Sequence, residues 1–92
     1  MNSVDNLVIS PDILVQEVGE EIVLLDLRNG TYYGLNQVGA CMFRCIRDGK
    51  ALEEARESLL DEFEVAPDEL DRDIAQLVEE LLARRLLWMK DA

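Results

Sequence analysis

Two cysteines, Cys41 and Cys45, are the residues of this 92-residue chain whose type suits redox or metal chemistry. Their spacing of four residues places both thiols on one side of a helix, with parallel Cα–Cβ bonds that suit a disulfide poorly. A redox pair favours Cys-x-x-Cys, and a metal site favours nearby histidines, of which the chain has none. We therefore interpret the cysteines as small buried core residues, on an apolar stripe with Val38, Met42 and Ile46, and expect no metal site.

Carboxylates are the second group with possible chemistry, since the chain has 20 Asp and Glu against 9 Lys and Arg. On the predicted helices they fall on polar faces, as at Glu53, Glu54 and Glu57, which is typical of a solvated surface. No glycine-rich phosphate-binding sequence is present, and no base neighbours Tyr32 or Tyr33. We therefore predict no catalytic residues, no enzymatic activity and no cofactor.

The charge balance also restricts the partners. A net charge of −11 repels nucleic acid phosphates and anionic lipid headgroups. No signal peptide is visible, and no apolar run approaches the roughly 18 residues that span a membrane. With 49% hydrophobic residues the chain is not disordered. We expect a cytoplasmic protein of one domain, residues 1–92, with a core at about 13–87, that binds neither nucleic acid nor membrane.

Three short β-rich runs precede the helices. They are Ile13–Val18, Glu21–Leu27 and Thr31–Leu35. The turn candidates Gly19-Glu20 and Asn29-Gly30 join them, and Asn-Gly is a strong hairpin signal. The sequence therefore predicts an antiparallel meander with the second strand in the middle and the third on an edge.

Three helices follow the strands. The first is predicted to be capped by Asn36 and to end at Asp48-Gly49, the second to cover about 51–63, and the third to begin at Pro67. Residues 87–89 form an apolar tail that we expect to cover the core, and residues 1–6 are expected to fray. The third helix carries a wide apolar stripe, which consists of Leu70, Ile74, Leu77, Val78, Leu81, Leu82 and Leu86. The element order predicts an α+β fold like that of a winged helix-turn-helix.

The third strand is the first candidate for a binding site. It carries neither Lys nor Pro, the residues that usually guard an edge, and Gly34 allows another backbone to approach. The apolar stripe of the third helix is wider than packing requires, so it can line a groove beside this strand. Edge and groove together indicate peptide binding by strand addition. The winged-helix order leaves DNA binding as a remote alternative, which the acidic third helix opposes.

A family resemblance supports the same interpretation. The stretches "VLLDLRNGTYYGLNQVGACMF" (residues 23–43) and "LLDEFEVAPDELDRDIAQLVEELLARRLL" (residues 59–87), with Asp-Gly after the first helix, resemble the PqqD-like family. Its members are small precursor-recognition domains for ribosomally made, modified peptides. The resemblance covers about residues 13–87, and the whole pattern carries it, because no single residue is diagnostic.

The resemblance implies that the chain binds the leader segment of a precursor peptide as an extra antiparallel strand. It further implies presentation of the precursor to a leader protease or modifying enzyme. The chain looks most like the discrete domains of lasso-peptide biosynthesis, where the leader commonly carries Tyr-x-x-Pro and the partners are a leader protease and an ATP-dependent cyclase. A peptide chaperone of pyrroloquinoline quinone biosynthesis is the alternative, followed by a domain of another modified-peptide pathway.

The resemblance also implies which residues contact the peptide. Residues matching the peptide-pairing strand are Thr31, Tyr32, Tyr33, Gly34 and Leu35. Residues matching the groove side of the third helix are Asp73, Ile74, Leu77, Val78, Leu81 and Arg84. Strand alternation places Tyr33 on the same face as Leu35, which we expect to be buried, and Tyr32 on the opposite face.

Overall fold

The protein is represented by a computed structural model that describes residues 7–89, so the predicted fraying of residues 1–6 lies outside the described residues. The elements are β1 (Leu7–Ile9), β2 (Ile13–Val18), β3 (Glu21–Asp26), β4 (Thr31–Leu35), α1 (Gln37–Arg47), α2 (Leu52–Glu62), α3 (Pro67–Ala83) and β5 (Leu87–Met89). The predicted α+β fold, a three-stranded antiparallel meander followed by three helices, is confirmed.

The meander has the order β2-β3-β4, with β3 in the centre. Along β3, Ile22, Leu24 and Asp26 are buried on the face that carries the helices, while Val23 and Leu25 on the other face are partly exposed. This alternation is the period of two that a pleated strand imposes. Within the described residues, β4 is an edge strand, as predicted.

The turn between β3 and β4 follows the predicted Asn-Gly chemistry. Gly30 has a φ of +74°, a left-handed conformation that costs glycine little. The side-chain oxygen of Asn29 accepts hydrogen bonds from the backbone N–H and the hydroxyl of Thr31, at 3.1 and 2.7 Å. These bonds define the start of β4 and therefore the register of the edge strand.

Helix α1 begins as predicted, since the Asn36 side chain accepts a hydrogen bond from the Gly39 N–H at 2.9 Å. The prediction that Cys41 and Cys45 are buried is wrong, because both are only half-buried. Met42 and Ile46 of the predicted stripe are buried, but the helix is rotated so that Gly39, Ala40 and Phe43 face the core with them. Partial burial nevertheless raises the pKa of each thiol, so the uncharged thiol is favoured.

Helix α3 begins with Pro67 in its first turn, as predicted, but ends at Ala83. Leu86, which we had assigned to its stripe, lies beyond the helix and is buried. The chain leaves α3 through Arg85, whose φ is +62°. The Arg85 N–H donates to the Leu82 carbonyl at 3.0 Å and the Leu86 N–H to the Leu81 carbonyl at 2.9 Å, a Schellman arrangement that satisfies the helix end.

A second, two-stranded sheet was not predicted. In it β1 pairs antiparallel with β5, with Leu7 opposite Met89 and Ile9 opposite Leu87. Leu87 is buried, as expected of a tail that covers the core, whereas Trp88 and Met89 are exposed. Leu7 and Ile9 pack against the core as well, so the packed region begins before residue 13.

The hydrophobic core lies between the inner face of the meander and the helices. Its fully buried members include Phe43 from α1, Leu24 from β3 and Leu81 from α3, each 0% exposed. Among residues 7–89, no helix is both long and apolar enough to cross a membrane.

Candidate functional site

The free edge of β4 is the first component of the site. Leu25 pairs with Tyr32 and Val23 with Gly34 on the inner side of this strand, and no strand of residues 7–89 pairs with its outer side. Alternate residues of an edge strand direct their N–H and C=O groups away from the sheet. The edge therefore offers hydrogen-bonding groups to an extended chain.

A groove of about 460 Å³ runs beside this edge, between β4 and α3. Its lining residues are Tyr33, Gly34, Leu35, Asn36, Val38, Gly39, Asp73, Gln76, Leu77 and Glu80. Apolar side chains from α1, α3 and β4 form its floor, and polar side chains from α3 form one rim. The groove thus combines an apolar surface with the free backbone edge.

The depth of the groove depends on Gly39. A Cβ atom at this position would lie 3.0 Å from Cδ2 of Leu77 and 3.3 Å from Cδ2 of Leu35. Because glycine has no Cβ, α1 packs closely against both side chains. The N-cap at Asn36 sets the start of α1 and so brings Gly39 to this point.

Tyr33 connects β4 to α3 across the cleft. Its hydroxyl donates a hydrogen bond to the Glu80 carboxylate, and the Arg84 guanidinium carbon lies 4.9 Å from the centre of its ring, within the range of a cation–π contact. Partial burial, followed by the bond to Glu80, raises the pKa of Tyr33 to about 12. The hydroxyl therefore stays protonated and remains a donor at neutral pH.

A smaller cavity of about 110 Å³ lies on the other side of Tyr33. Thr31, Asn29 and Arg84 line it together with buried Asp26. Tyr33 lines both cavities, while Glu80 lines only the larger and Arg84 only the smaller. The three linked side chains thus separate the cleft into two compartments.

The predicted site residues fall into four places. Those that line the larger groove are Tyr33, Gly34, Leu35, Asp73 and Leu77. Thr31 and Arg84 line the smaller cavity. Tyr32 is on the outer face of the sheet and 68% exposed, away from both.

The remaining predicted residues belong to the core side of α3. Leu81 is 0% exposed and is part of the core. Ile74 and Val78 are partly buried and pack against that core. None of the three lines the groove, because α3 directs the stripe of Leu77 and Glu80 towards β4 instead.

Sequence reasoning missed the polar rim, Gln76 and Glu80, and the contribution of α1 through Val38 and Gly39. The rim had a signal, since residues 73, 77, 80 and 84 recur at helical spacing on one face of α3. No sequence signal indicated that α1 contributes to the groove, because this contribution depends on how closely α1 approaches α3.

Comparisons with known proteins identify the family and relatives of the same fold. The family model of Coenzyme PQQ synthesis protein D (PqqD) matches residues 21–87. A search of curated proteins found no match. Two solved structures share the fold over nearly their whole length. The first, TbiB1 in complex with the TbiA(beta) leader peptide, is 30% identical, covers 91% of this chain and 98% of its own, and has a TM-score of 0.79.

The second structure is lasso peptide synthetase B1 complexed with the leader peptide. It is 31% identical, covers 90% of this chain and 98% of its own, and has a TM-score of 0.80. The family match extends over more than half of the chain and includes β3, β4 and all three helices. The chain belongs to the PqqD family.

Proposed function

We propose that the protein binds the leader segment of a ribosomally made precursor peptide in lasso-peptide biosynthesis, without catalysing a reaction itself. The leader adds as an antiparallel strand to β4 and places alternate side chains in the groove against α3. The observation that carries the proposal is the free edge of β4 lying directly beside the groove. The two solved relatives, both complexes with leader peptides, support it.

The two components of the site have different roles in binding. Main-chain hydrogen bonds along β4 set the register, but each contributes little net free energy because water offers competing bonds. Apolar side chains that contact Leu77 and Leu35 supply the larger share. Two anchors that each bury about 100–150 Å² give roughly 5–8 kcal/mol, from which the cost of ordering the leader is subtracted.

The partners follow from the same proposal. We expect the domain to act by delivering the rest of the precursor to other proteins. We expect these to be a leader protease and an ATP-dependent cyclase. The whole chain then serves as one recognition domain, and the chemistry occurs on its partners.

Amide hydrogen exchange with a panel of synthetic leader peptides, including the TbiA(beta) leader peptide, tests the proposal. Binding should increase protection in Thr31–Leu35 and in the middle of α3, near residues 74–81. Scrambled peptides of the same composition serve as the control and should leave exchange unchanged. Protection confined to β2 or α2, or no binding by any peptide of the panel, would contradict the proposal.

N-methylated peptides test strand addition without altering the protein. Methyl groups on alternate backbone nitrogens remove those donors that face β4, and the other alternate set faces solvent. One set should therefore weaken binding by about tenfold or more, whereas the other should have little effect. Equal effects of both sets would show that the leader does not pair as a strand.

The family match favours a second candidate, a peptide chaperone of pyrroloquinoline quinone biosynthesis. The same edge and groove would then hold the precursor peptide of that pathway. A titration that compares this precursor with the lasso leaders separates the two, since the cognate leader should bind more tightly by tenfold or more.

A further inference from the structure

The two compartments beside β4 are arranged in order along the strand. Leu35 lies at the larger compartment, Tyr33 at the boundary and Thr31 at the smaller one. These three residues share the inner face of β4, and successive members of one face are about 7 Å apart. The cleft therefore changes in volume at a distance that matches two residues of an extended peptide.

A peptide strand added to β4 meets this sequence of compartments with its own inward side chains. In an antiparallel pair, side chains directly opposite each other share a face. Three inward side chains of the peptide, at positions n, n+2 and n+4, then lie opposite Leu35, Tyr33 and Thr31 in that order.

The compartments differ in what they accept. The larger one has Leu77 in its floor and a volume of about 460 Å³, which suits a large apolar or aromatic side chain. The smaller one, about 110 Å³, is lined by Asp26 and Arg84 as well as by Leu24 and Leu86, so it suits a short side chain that places a polar atom beside Asp26 or Arg84.

Tyr33 separates these compartments because its backbone is fixed in β4 and its side chain is fixed by Glu80 and Arg84. Its ring projects from β4, and its hydroxyl donates a hydrogen bond to Glu80. The guanidinium carbon of Arg84 lies over the ring, 4.9 Å from its centre. Glu80 lies in the last turn of α3 and Arg84 is the C-cap of that helix, so both contacts come from the same wall of the cleft. Tyr33 thus spans the cleft from β4 to α3.

We propose that Tyr33, held by Glu80 and Arg84, is a specificity-determining partition that sorts leader side chains by size. A bound leader carries a large apolar side chain at position n, a small one at n+2 facing Tyr33, and a short polar one at n+4. The proposal rests on the proposed function, because it assumes strand addition to β4. It identifies the class of leader that this groove selects.

A substitution scan of a bound peptide tests the partition. Each residue of the tightest-binding peptide in the panel is replaced in turn by Ser and by Trp, and the dissociation constants are measured. With the wild-type protein, replacement by Ser at one peptide position should lower the affinity by about tenfold or more (the Ser penalty). Replacement by Trp at the position four residues later should lower it as much (the Trp penalty).

Variants of Tyr33 should change which peptide positions tolerate Ser or Trp, and not merely the overall affinity. In Tyr33→Ala the compartments merge, so the Trp penalty at n+4 should largely disappear while the Ser penalty at n remains. Tyr33→Phe retains the ring but loses the hydrogen bond to Glu80, so it should lower the Trp penalty only in part, as Glu80→Ala should. Leu14→Ala, at an exposed position of β2 on the opposite edge of the sheet, is the control and should leave the pattern unchanged.

Glu80→Ala gives the same test at an exposed position of α3, so it applies even if Tyr33→Ala unfolds. It should reduce the Trp penalty because the ring loses its hydrogen bond. A Trp penalty that persists in both Tyr33→Ala and Glu80→Ala would overturn the partition. So would a wild-type scan that shows no such pair of positions four residues apart. If no peptide of the panel binds at all, the proposed function itself fails, and the two failures are thereby distinguished.

Discussion

Arg28 holds the carboxylate of Asp26 through two hydrogen bonds, from Nε to Oδ1 at 3.0 Å and from Nη2 to Oδ2 at 2.9 Å. The same Nη2 also donates to the carbonyl oxygens of Arg85 and Arg84, at 3.0 and 3.3 Å. These carbonyls belong to the end of α3, where a cation complements the helix dipole. Arg28 therefore fastens the β3–β4 hairpin to α3, the two walls of the cleft.

Replacing Arg28 by Lys should loosen this connection. Lysine retains the charge but lacks the planar guanidinium that contacts both the carboxylate and the carbonyls. We expect leader affinity to fall by roughly tenfold, the scale of one lost charge-assisted hydrogen bond. A binding titration measures this, with Arg72→Lys at an exposed position of α3 as the matched control. Equal affinities for wild type and Arg28→Lys would contradict a role in setting the groove.

Acid should weaken the same connection. The hydrogen bonds from Arg28 hold the pKa of Asp26 below its ordinary value of 3.8. Since the folded pKa is the lower one, the stabilisation is complete above about pH 4 and is lost as the pH falls through the folded pKa. Asp26→Asn should therefore be less stable than wild type at pH 7, with the difference shrinking below pH 4.

Urea denaturation of both proteins between pH 7 and pH 2 measures this difference. Glu17→Gln is the comparison, because the pKa of Glu17 is also lowered, by Arg44, in an exposed ion pair. Exposed ion pairs contribute little to stability. The difference in stability between Glu17→Gln and wild type should therefore depend less on pH. A constant difference between Asp26→Asn and wild type across the whole range would refute the prediction.

Leu77 and Leu81 lie one turn apart on α3 and should behave differently. Leu81 is 0% exposed, so Leu81→Ala should lower the free energy of unfolding by about 2–5 kcal/mol. Leu77 is partly buried and lines the groove, so Leu77→Asp should abolish leader binding in a chain that still folds. Circular dichroism beside a binding titration measures both. A folded Leu77→Asp with normal affinity would remove Leu77 from the site.

Gly39→Ala should reshape the groove from below. The new Cβ would lie 3.0 Å from Cδ2 of Leu77, so that side chain must shift, and we expect it to shift into the groove that it lines. Alanine favours the helix by about 1 kcal/mol, which offsets the crowding, so stability should change by less than about 1 kcal/mol while affinity falls by about tenfold.

Ser58→Ala is the control for this change, because Ser58 is exposed on α2 and does not line the groove. Calorimetric titration with the same leader peptide measures both variants. Unchanged affinity in Gly39→Ala, with its stability preserved, would show that the floor of the groove tolerates the displaced leucine.

Local chemistry made much of the fold predictable. Asn36 as an N-cap, Asn29-Gly30 as a turn and Pro67 at a helix start depend on neighbouring residues, so the sequence alone predicted each one. The edge position of β4 followed from two short turns joining three strands. Strands β1 and β5 could not be predicted, because each has three residues and its partner lies at the other end of the chain.

The site was harder to predict than the fold because it depends on the rotation of α3. Leu77 and Leu81 both belong to one apolar stripe, and hydrophobicity alone does not tell which faces the groove. The contact between Tyr33 and Glu80 joins polar atoms 47 residues apart, which no local pattern reveals. Cys41 and Cys45 were misplaced for a similar reason, since α1 directs Phe43 inward instead.

The pairing of Leu7 with Met89 has a consequence for engineering this domain. Neighbouring strands are about 5 Å apart, so the two ends of the described chain lie side by side. No residue of β1 or β5 lines the groove. A short linker between the ends, with new termini opened at the Gly49-Lys50 turn, should give a circular permutant, and the domain should likewise tolerate insertion into a loop of a host protein.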